Sequence, residues 1–187
     1  MNITIISSST RPESITYRIA LHIHHKMMNM QDINPTLLDL RKLDIPMYTY
    51  SYQDHPSPSH GLQIFHDTIY SCDAFIVVTP EYNGGYNAAL KNAIDHLGKD
   101  AYQRKAMGIV TGSTGALAAA RVSQQLQLLA CGIFAIPCPQ MLLVPQMDKK
   151  FDTEGNLTDP NFEKSINTFF DNYLWLAQAL YQKSVKI

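Results

Sequence analysis

Phe75-Ile76-Val77-Val78-Thr79-Pro80-Glu81-Tyr82-Asn83-Gly84-Gly85-Tyr86-Asn87, running into Ala88-Ala89-Leu90-Lys91-Asn92-Ala93-Ile94-Asp95-His96-Leu97, is the stretch that decides the fold. Its first residues form a short β-branched and aromatic run, the pattern of a strand buried on both faces. The run stops at Pro80, which has no N–H for a sheet ladder and holds Thr79 extended. The paired glycines Gly84-Gly85 then tolerate positive φ and let another molecule approach the backbone. Asn87 is placed to cap a helix. In that helix Ala88, Ala89, Leu90, Ala93, Ile94 and Leu97 fall at helical spacing, leaving Lys91, Asn92 and Asp95 on the wetter side. The unit is strand, exposed loop, helix. In open α/β sheets ligands bind at the carboxyl ends of the strands, although any parallel sheet also needs plain connecting loops of this kind.

A chain of 187 residues with 45% hydrophobic content suffices for one substantial core and not for two. A net charge of −1 with 17% charged residues disfavours a nucleic-acid surface or an acidic tail. Cys72, Cys131 and Cys138 are odd in number and have no CxxC spacing. Each lies in or beside an apolar stretch, so buried thiols in a reducing compartment are expected rather than a disulfide framework. No basic segment followed by an apolar one opens the sequence, and no apolar run approaches membrane length. The expectation is a cytoplasmic, soluble, single domain over 1–187, with neither nucleic acid nor membrane as a partner.

Asn2 to Ser7 reads as a first buried strand, and Ser8-Ser9-Thr10-Arg11-Pro12-Glu13-Ser14 as the turn after it. Ile15, Ile19, Ile23 and Met27 recur every four residues and predict a helix to about Met30. A turn that opens a helix presents unpaired N–H groups and the positive end of the helix dipole. Here its hydroxyls can donate to phosphate oxygens, and Arg11 can add a charge-assisted contact. The plain alternative is Ser14 as an N-cap with Arg11 at the surface. There is no G-x-G-x-x-G at this turn and no G-x-x-x-x-G-K-[ST] anywhere, which disfavours a dinucleotide Rossmann domain and a P-loop NTPase. His22 and His25, on either side of His24, are conceivable as a metal pair. No third ligand stands nearby, and a histidine tract on the solvent side of a helix accounts for them.

Thr36-Leu37-Leu38-Asp39-Leu40 predicts a second strand, and Lys42 to about Leu62 a long irregular loop rich in Pro, Ser, Tyr and His. Tyr48, Tyr50 and Tyr52 either stack on a planar ligand or cover the sheet edge. Leu62, Phe65, Ile69 and Tyr70 mark the helix leading back to the central strand. Ala106 to Thr111 is another buried strand, ending in the small-residue turn Gly112-Ser113-Thr114-Gly115. A helix follows through Leu117, Ala120, Val122, Leu126, Leu129 and Ala130, with Gly132 suited to terminate it. The turn lacks G-x-S-x-G, which makes Ser113 a poor hydrolase serine. Asp95 and His96, adjacent on a helix, point to different sides and form no dyad. Cys138 to Val144 supplies a last strand, 147–159 a polar loop, and Pro160 starts a C-terminal helix with Phe162, Ile166, Phe169, Phe170 and Tyr173 on its apolar face.

Five strands alternating with helices predict an α/β fold: a three-layer, five-stranded parallel sheet with right-handed crossovers. In the flavodoxin-like order 2-1-3-4-5 the first, third and fourth strands are neighbours, and the switch point lies between the first and third. The Ser/Arg turn and the Pro80-Glu81-Tyr82-Asn83 loop then flank one crevice.

Thr79-Pro80-Glu81-Tyr82-Asn83-Gly84 followed by Leu90-Lys91-Asn92-Ala93-Ile94-Asp95 closely resembles the signature of the NADPH-dependent FMN reductase family, which includes chromate, quinone and azo-dye reductases. The resemblance runs over most of the chain, from the Ser-x-Arg-x-x-Ser turn to the Gly-Ser turn after the fourth strand. It implies a flavodoxin-like fold holding FMN non-covalently. The first turn, Ser9, Arg11, Ser14 and Thr16, would grip the phosphate. Pro80, Glu81, Tyr82, Asn83 and Gly84 would lie along the flavin ring, and Gly112 and Ser113 would approach its polar edge. Three positions depart from the family pattern: Ser8 stands where a glycine often opens the turn, Thr16 where an asparagine is common, and His96 where a tryptophan is frequent. The first two bear on phosphate binding, and the third lies on a surface often used for dimer contacts.

The resemblance further implies NADPH or NADH as reductant, a small-molecule electron acceptor (quinone, flavin, azo dye or metal oxyanion), ping-pong hydride transfer and a homodimer or homotetramer. No catalytic side chain and no metal are required, because the flavin carries the redox chemistry while the protein supplies position and electrostatics. One rival reading keeps the flavin without turnover, as a flavodoxin-like electron carrier or redox sensor. A net charge of −1 argues against the acidic docking face of a carrier. The other rival is a flavin-free α/β scaffold acting through protein contacts.

Overall fold

Runs such as Ile3-Thr4-Ile5-Ile6 and Phe75-Ile76-Val77-Val78 have no polar face, so they are stable only with both faces covered. In the computed structural model, which describes residues 1–184, they lie at the centre of a parallel sheet. The strands are β1 (Asn2–Ser7), β2 (Asn34–Asp39), β3 (Ala74–Pro80), β4 (Ala106–Gly112), β5 (Ile136–Pro137) and β6 (Leu142–Val144). The helices are α1 (Ile15–Met28), α2 (His60–Ser71), α3 (Ala88–Asp95), α4 (Ala120–Gly132) and α5 (Glu163–Ser184). The order is β2-β1-β3-β4-β5, with β6 also on β4, and every pairing is parallel. This is the flavodoxin-like arrangement the sequence predicts, with one alteration at the edge.

That alteration corrects the fifth strand. Cys138 to Val144 is not continuous: β5 pairs with Ala106 and Met107 and β6 with Val110 to Gly112. Pro137 and Pro139 have no N–H to donate, so the edge strand parts between them and β6. The sheet therefore has six strands. β2 begins at Asn34, two residues earlier than predicted, and includes Pro35, which an edge strand tolerates.

Side chains alternate between two layers. Ile3, Ile5, Ile76, Val78 and Val110 meet Ile19, Ile23 and Met27 of α1 and Phe169, Phe170 and Tyr173 of α5. Ile6, Phe75, Val77, Met107 and Ile109 meet Phe65 and Ile69 of α2, Leu90 and Ile94 of α3, and Val122 and Leu126 of α4. All five helices are thus held by apolar stripes, and among the described residues none is long and apolar enough to cross a membrane.

Four local readings change. The helix predicted through Leu117 begins only at Ala120, and Leu117 sits in the preceding loop with 71% of its surface exposed. Gly132 is the last residue of α4 rather than its terminator, and the left-handed residue beyond it is Phe134 (φ 59°). Cys131 is exposed, unlike the buried Cys72 and Cys138, because it lies on the outer side of α4. His22 does not face solvent freely: its Nδ1 lies 3.0 Å from the Gly155 carbonyl oxygen and its ring packs on Phe151. The polar loop 147–159 folds back on α1 there, and burial pushes the His22 pKa down.

The middle of β4 is closely packed by side chains of β3 and α5. A Cβ on Gly108 would fall 2.8 Å from Ile76 Cγ1, 3.0 Å from Tyr173 Cδ2 and 3.1 Å from Phe169 Cζ. Gly108→Ala should therefore overpack the α5 layer and lower stability by about 1–3 kcal/mol. The check is urea unfolding, where the midpoint should fall with an unchanged slope.

Candidate functional site

The site is built where β1, β3 and β4 end. Ser7 runs into Ser8, whose N–H donates to the Val78 carbonyl (3.0 Å), so the first turn leaves the sheet beside β3. Asn87 then joins the two loops. Its Oδ1 accepts the Leu90 N–H at 2.9 Å, capping α3, and its Nδ2 donates to Ser8 Oγ at 2.8 Å. Both residues are buried, and the position where the family signature often has glycine is here a serine holding this bond.

Between the loops lies a cavity of about 210 Å³. It is lined by Ser9, Arg11, Ser14, Thr16, Pro80, Glu81, Tyr82, Gly112 and Ser113, nine of the eleven sequence-predicted residues. Asn83 and Gly84 lie outside it, on a second cavity of about 420 Å³ that shares Glu81 and Ser113 with the first. The signals missed in the sequence are Thr114 and Met147 in the first cavity, and Gly115, Ala116, Leu117, Ala119 and Arg121 in the second. Thr114 and Gly115 belong to a turn already singled out. Arg121 and Met147 carry no local motif; only the crossing of β4 with its neighbours brings them to the site.

The first cavity is suited to an anion. Ser14 caps α1 by accepting the Tyr17 N–H (3.2 Å), and it is hydrogen-bonded to Thr16 Oγ1 (3.0 Å). The two readings of that serine, cap and cavity wall, therefore hold together. The first turn of α1 has no acidic residue to neutralise its dipole. Arg11 makes no ion pair among the described residues; its guanidinium lies 4.7 Å over the Tyr82 ring, whose hydroxyl is 3.1 Å from Ser9 Oγ. A cation, three hydroxyl side chains and a helix N-terminus without an acidic first turn form a donor set that fits the phosphate of FMN. Glu13 also lines the cavity, from an exposed position. Gly112 admits close packing from below: a Cβ there would meet Ile19 Cδ1 and Met147 Sδ at 2.9 Å.

The loop after β3 is a tight turn. Tyr82 and Gly85 exchange both backbone hydrogen bonds (2.9 and 3.1 Å), and the residues between them, Asn83 (φ 53°) and Gly84 (φ 83°), are both left-handed. This is the Asn-Gly turn that two-residue connections favour. It corrects the Gly84-Gly85 reading, because Gly85 does not take positive φ. The turn is tied to α4 by Gln125 Nε2, which donates to the Gly84 carbonyl (3.0 Å), and by Arg121 Nη1 against Glu81 Oε1 (3.1 Å).

The loop after β4 is held by Thr111 Oγ1 donating to the Ala118 carbonyl (2.9 Å), with Ala118 and Ala119 both left-handed. The long loop between β2 and α2 stays away from both cavities. Tyr52 stacks on His66 (3.8 Å), Tyr48 meets His96 edge-on (5.4 Å), and Tyr50 meets His55 (6.0 Å). His96 is fully buried beneath it, with Nε2 2.9 Å from the Pro46 carbonyl oxygen. Within this chain the tyrosines cover the α3 end, so neither Tyr48 nor Tyr50 flanks the crevice.

A family model described as NADPH-dependent FMN reductase matches residues 1–148. The FMN-dependent NADPH-azoreductase of Staphylococcus saprophyticus is 26% identical over 147 residues, covering 76% of this chain and 78% of that protein. The protein of the same name from Staphylococcus aureus is 24% identical over 174 residues, covering 89% and 90%. Among solved structures, the flavoenzyme NAD(P)H:(acceptor) oxidoreductase FerB of Paracoccus denitrificans superposes with a TM-score of 0.80 at 20% identity, covering 95% of this chain and 97% of that one. At that identity the likeness speaks for the fold alone.

Asn87→Ala removes the α3 cap and the partner of a buried Ser8 hydroxyl together. It should lower stability by about 1–2 kcal/mol, read as a shift of the denaturant midpoint.

Proposed function

The chain belongs to the NADPH-dependent FMN reductase family, and on that premise we propose that it is an FMN-containing oxidoreductase that takes reducing equivalents from NAD(P)H and passes them to a quinone, flavin, azo or metal-oxyanion acceptor. The observation that carries this reading is a pair of adjoining cavities at the carboxyl edge of the sheet, one anion-suited between the turns after β1, β3 and β4, the other walled by the loops after β3 and β4. When bound, FMN supplies the two-electron chemistry.

The residues of the chain bind and orient. Ser9, Arg11, Ser14 and Thr16 would hold the phosphate. Pro80, Glu81, Tyr82, Asn83 and Gly84 would set the wall beside the ring, and Gly112 and Ser113 would lie towards its polar edge. No side chain is needed as nucleophile, and no metal. The cavity between the turn at 82–85 and the loop at 113–119 would take one planar partner at a time, and on this reading the reductant leaves before the acceptor enters. We assign the whole of 1–187 to one domain, place the protein in the cytoplasm as a homodimer or homotetramer, and propose no nucleic-acid or membrane partner. An electron carrier without turnover is disfavoured by the near-neutral charge.

Two measurements test this. Mixing the FMN-loaded protein with NADPH in the absence of oxygen and acceptor should bleach the visible absorbance at least as fast as steady-state turnover. Bleaching that requires acceptor would rule out the alternating scheme, and no bleaching with NADPH or NADH would leave the carrier reading. Secondly, Arg11→Ala removes one charged hydrogen bond, about 1.5–3 kcal/mol, and should weaken FMN roughly tenfold to a hundredfold. Riboflavin, which has no phosphate, should bind both proteins alike; equal weakening of the two ligands would show that Arg11 does not read the phosphate.

A further inference from the structure

The second cavity has a mixed lining: Leu117, 71% exposed, with Ala116 and Ala119, and the charged pair Arg121 and Glu81. Leu117, Ala116 and Ala119 supply the apolar side chains of this lining. Arg121 is the sole cationic residue lining this cavity, and its side chain is 69% exposed. Among the described residues it engages only Glu81, through Nη1. A guanidinium has five N–H donors, so most of its donor capacity has no protein partner among the described residues and is accessible from outside. In the pair the Arg121 side chain is 69% exposed and that of Glu81 17%, so the guanidinium end is the one open to an incoming anion.

We infer that Arg121 is a specificity-determining residue for the second ligand of the reaction, selecting flat aromatic molecules that carry an anionic oxygen group. The aromatic body lies against Leu117 and Ala116, and the carboxylate, sulfonate or phosphate oxygens take the guanidinium in place of Glu81. Glu81 then acts as an internal competitor: it holds Arg121 at the rim when no anion is present, and it opposes anions that bring no apolar contact with them. The α4 dipole, whose positive end lies at Ala120 beside a residue with no side-chain cap, adds to the same field. This inference rests on the oxidoreductase reading of the site.

The chemistry has two sources, an acidic substituent on the acceptor or the phosphates of the reductant, and the test separates them. Dissociation constants are measured by calorimetry on the oxidised, FMN-loaded protein, for azobenzene-4-carboxylate, for its uncharged carboxamide and for NADP⁺. Arg121→Gln should lower the preference for carboxylate over carboxamide by about tenfold if the acceptor supplies the anion, or weaken NADP⁺ by a similar factor if the reductant does. Arg121→Lys should recover part of either loss, since a point charge remains without the planar fork. Glu81→Gln should move affinity for the same anion the other way, towards tighter binding. If Arg121→Gln leaves the carboxylate preference and NADP⁺ affinity unchanged, or Glu81→Gln weakens both anions, the inference is overturned. Wild-type protein that binds no FMN would instead remove the functional reading beneath it.

Discussion

Parallel strands buried on both faces leave a protein nowhere to put polar chemistry except at their ends. β3 and β4 are buried at every position, and β1 at all but its first. Their backbone groups are consumed by neighbouring strands, and their side chains by two apolar layers. The chain reversals at the carboxyl edge therefore bring polar, hydroxyl and small residues together around one point. The cavity is a consequence of that constraint, not an addition to it.

What makes the edge a site is the way its loops are tied. Asn87 reaches across from α3 to Ser8, so the first turn and the central loop cannot move independently. Gln125 and Arg121 tether the Asn83-Gly84 turn to α4, and Thr111 holds the 113–119 loop through Ala118. Left-handed backbone at Asn83, Ala118 and Ala119 costs energy that buried packing must offset. Such conformations persist where the surroundings over-determine them, and here they form two walls facing one another.

Charge is distributed with the same economy. Arg11, free of carboxylates among the described residues, meets the helix dipole of α1 in the smaller cavity. Arg121 is held in check by Glu81 in the larger one. Other cations are engaged elsewhere: Arg41 is held by Asp39, which pushes its pKa up, and Lys105 closes the α2 end by donating to the Ile69 carbonyl. The near-neutral chain thus presents two separate positive points at the mouth, one suited to a bound phosphate and one to a visiting anion.

The sequence by itself determined the layer architecture, the strand order and most of the site. Burial on both faces writes an unbroken apolar run, helices write a period near four, and a phosphate-competent turn writes its hydroxyls and arginine within a few residues. Nine of the eleven positions that the family resemblance implies share one cavity, because they lie at strand ends that the order 2-1-3-4-5 makes adjacent. Only the tertiary structure decided the split of the last strand, the positive φ at Asn83 rather than Gly85, and the late start of α4 that exposes Leu117. It also decided the covering of His96 by the long loop and the placing of Arg121 against Glu81, forty residues away. These outcomes depend on which partner reaches a given backbone or charge first. Distances between segments far apart in the chain settle that competition, and no periodicity records them.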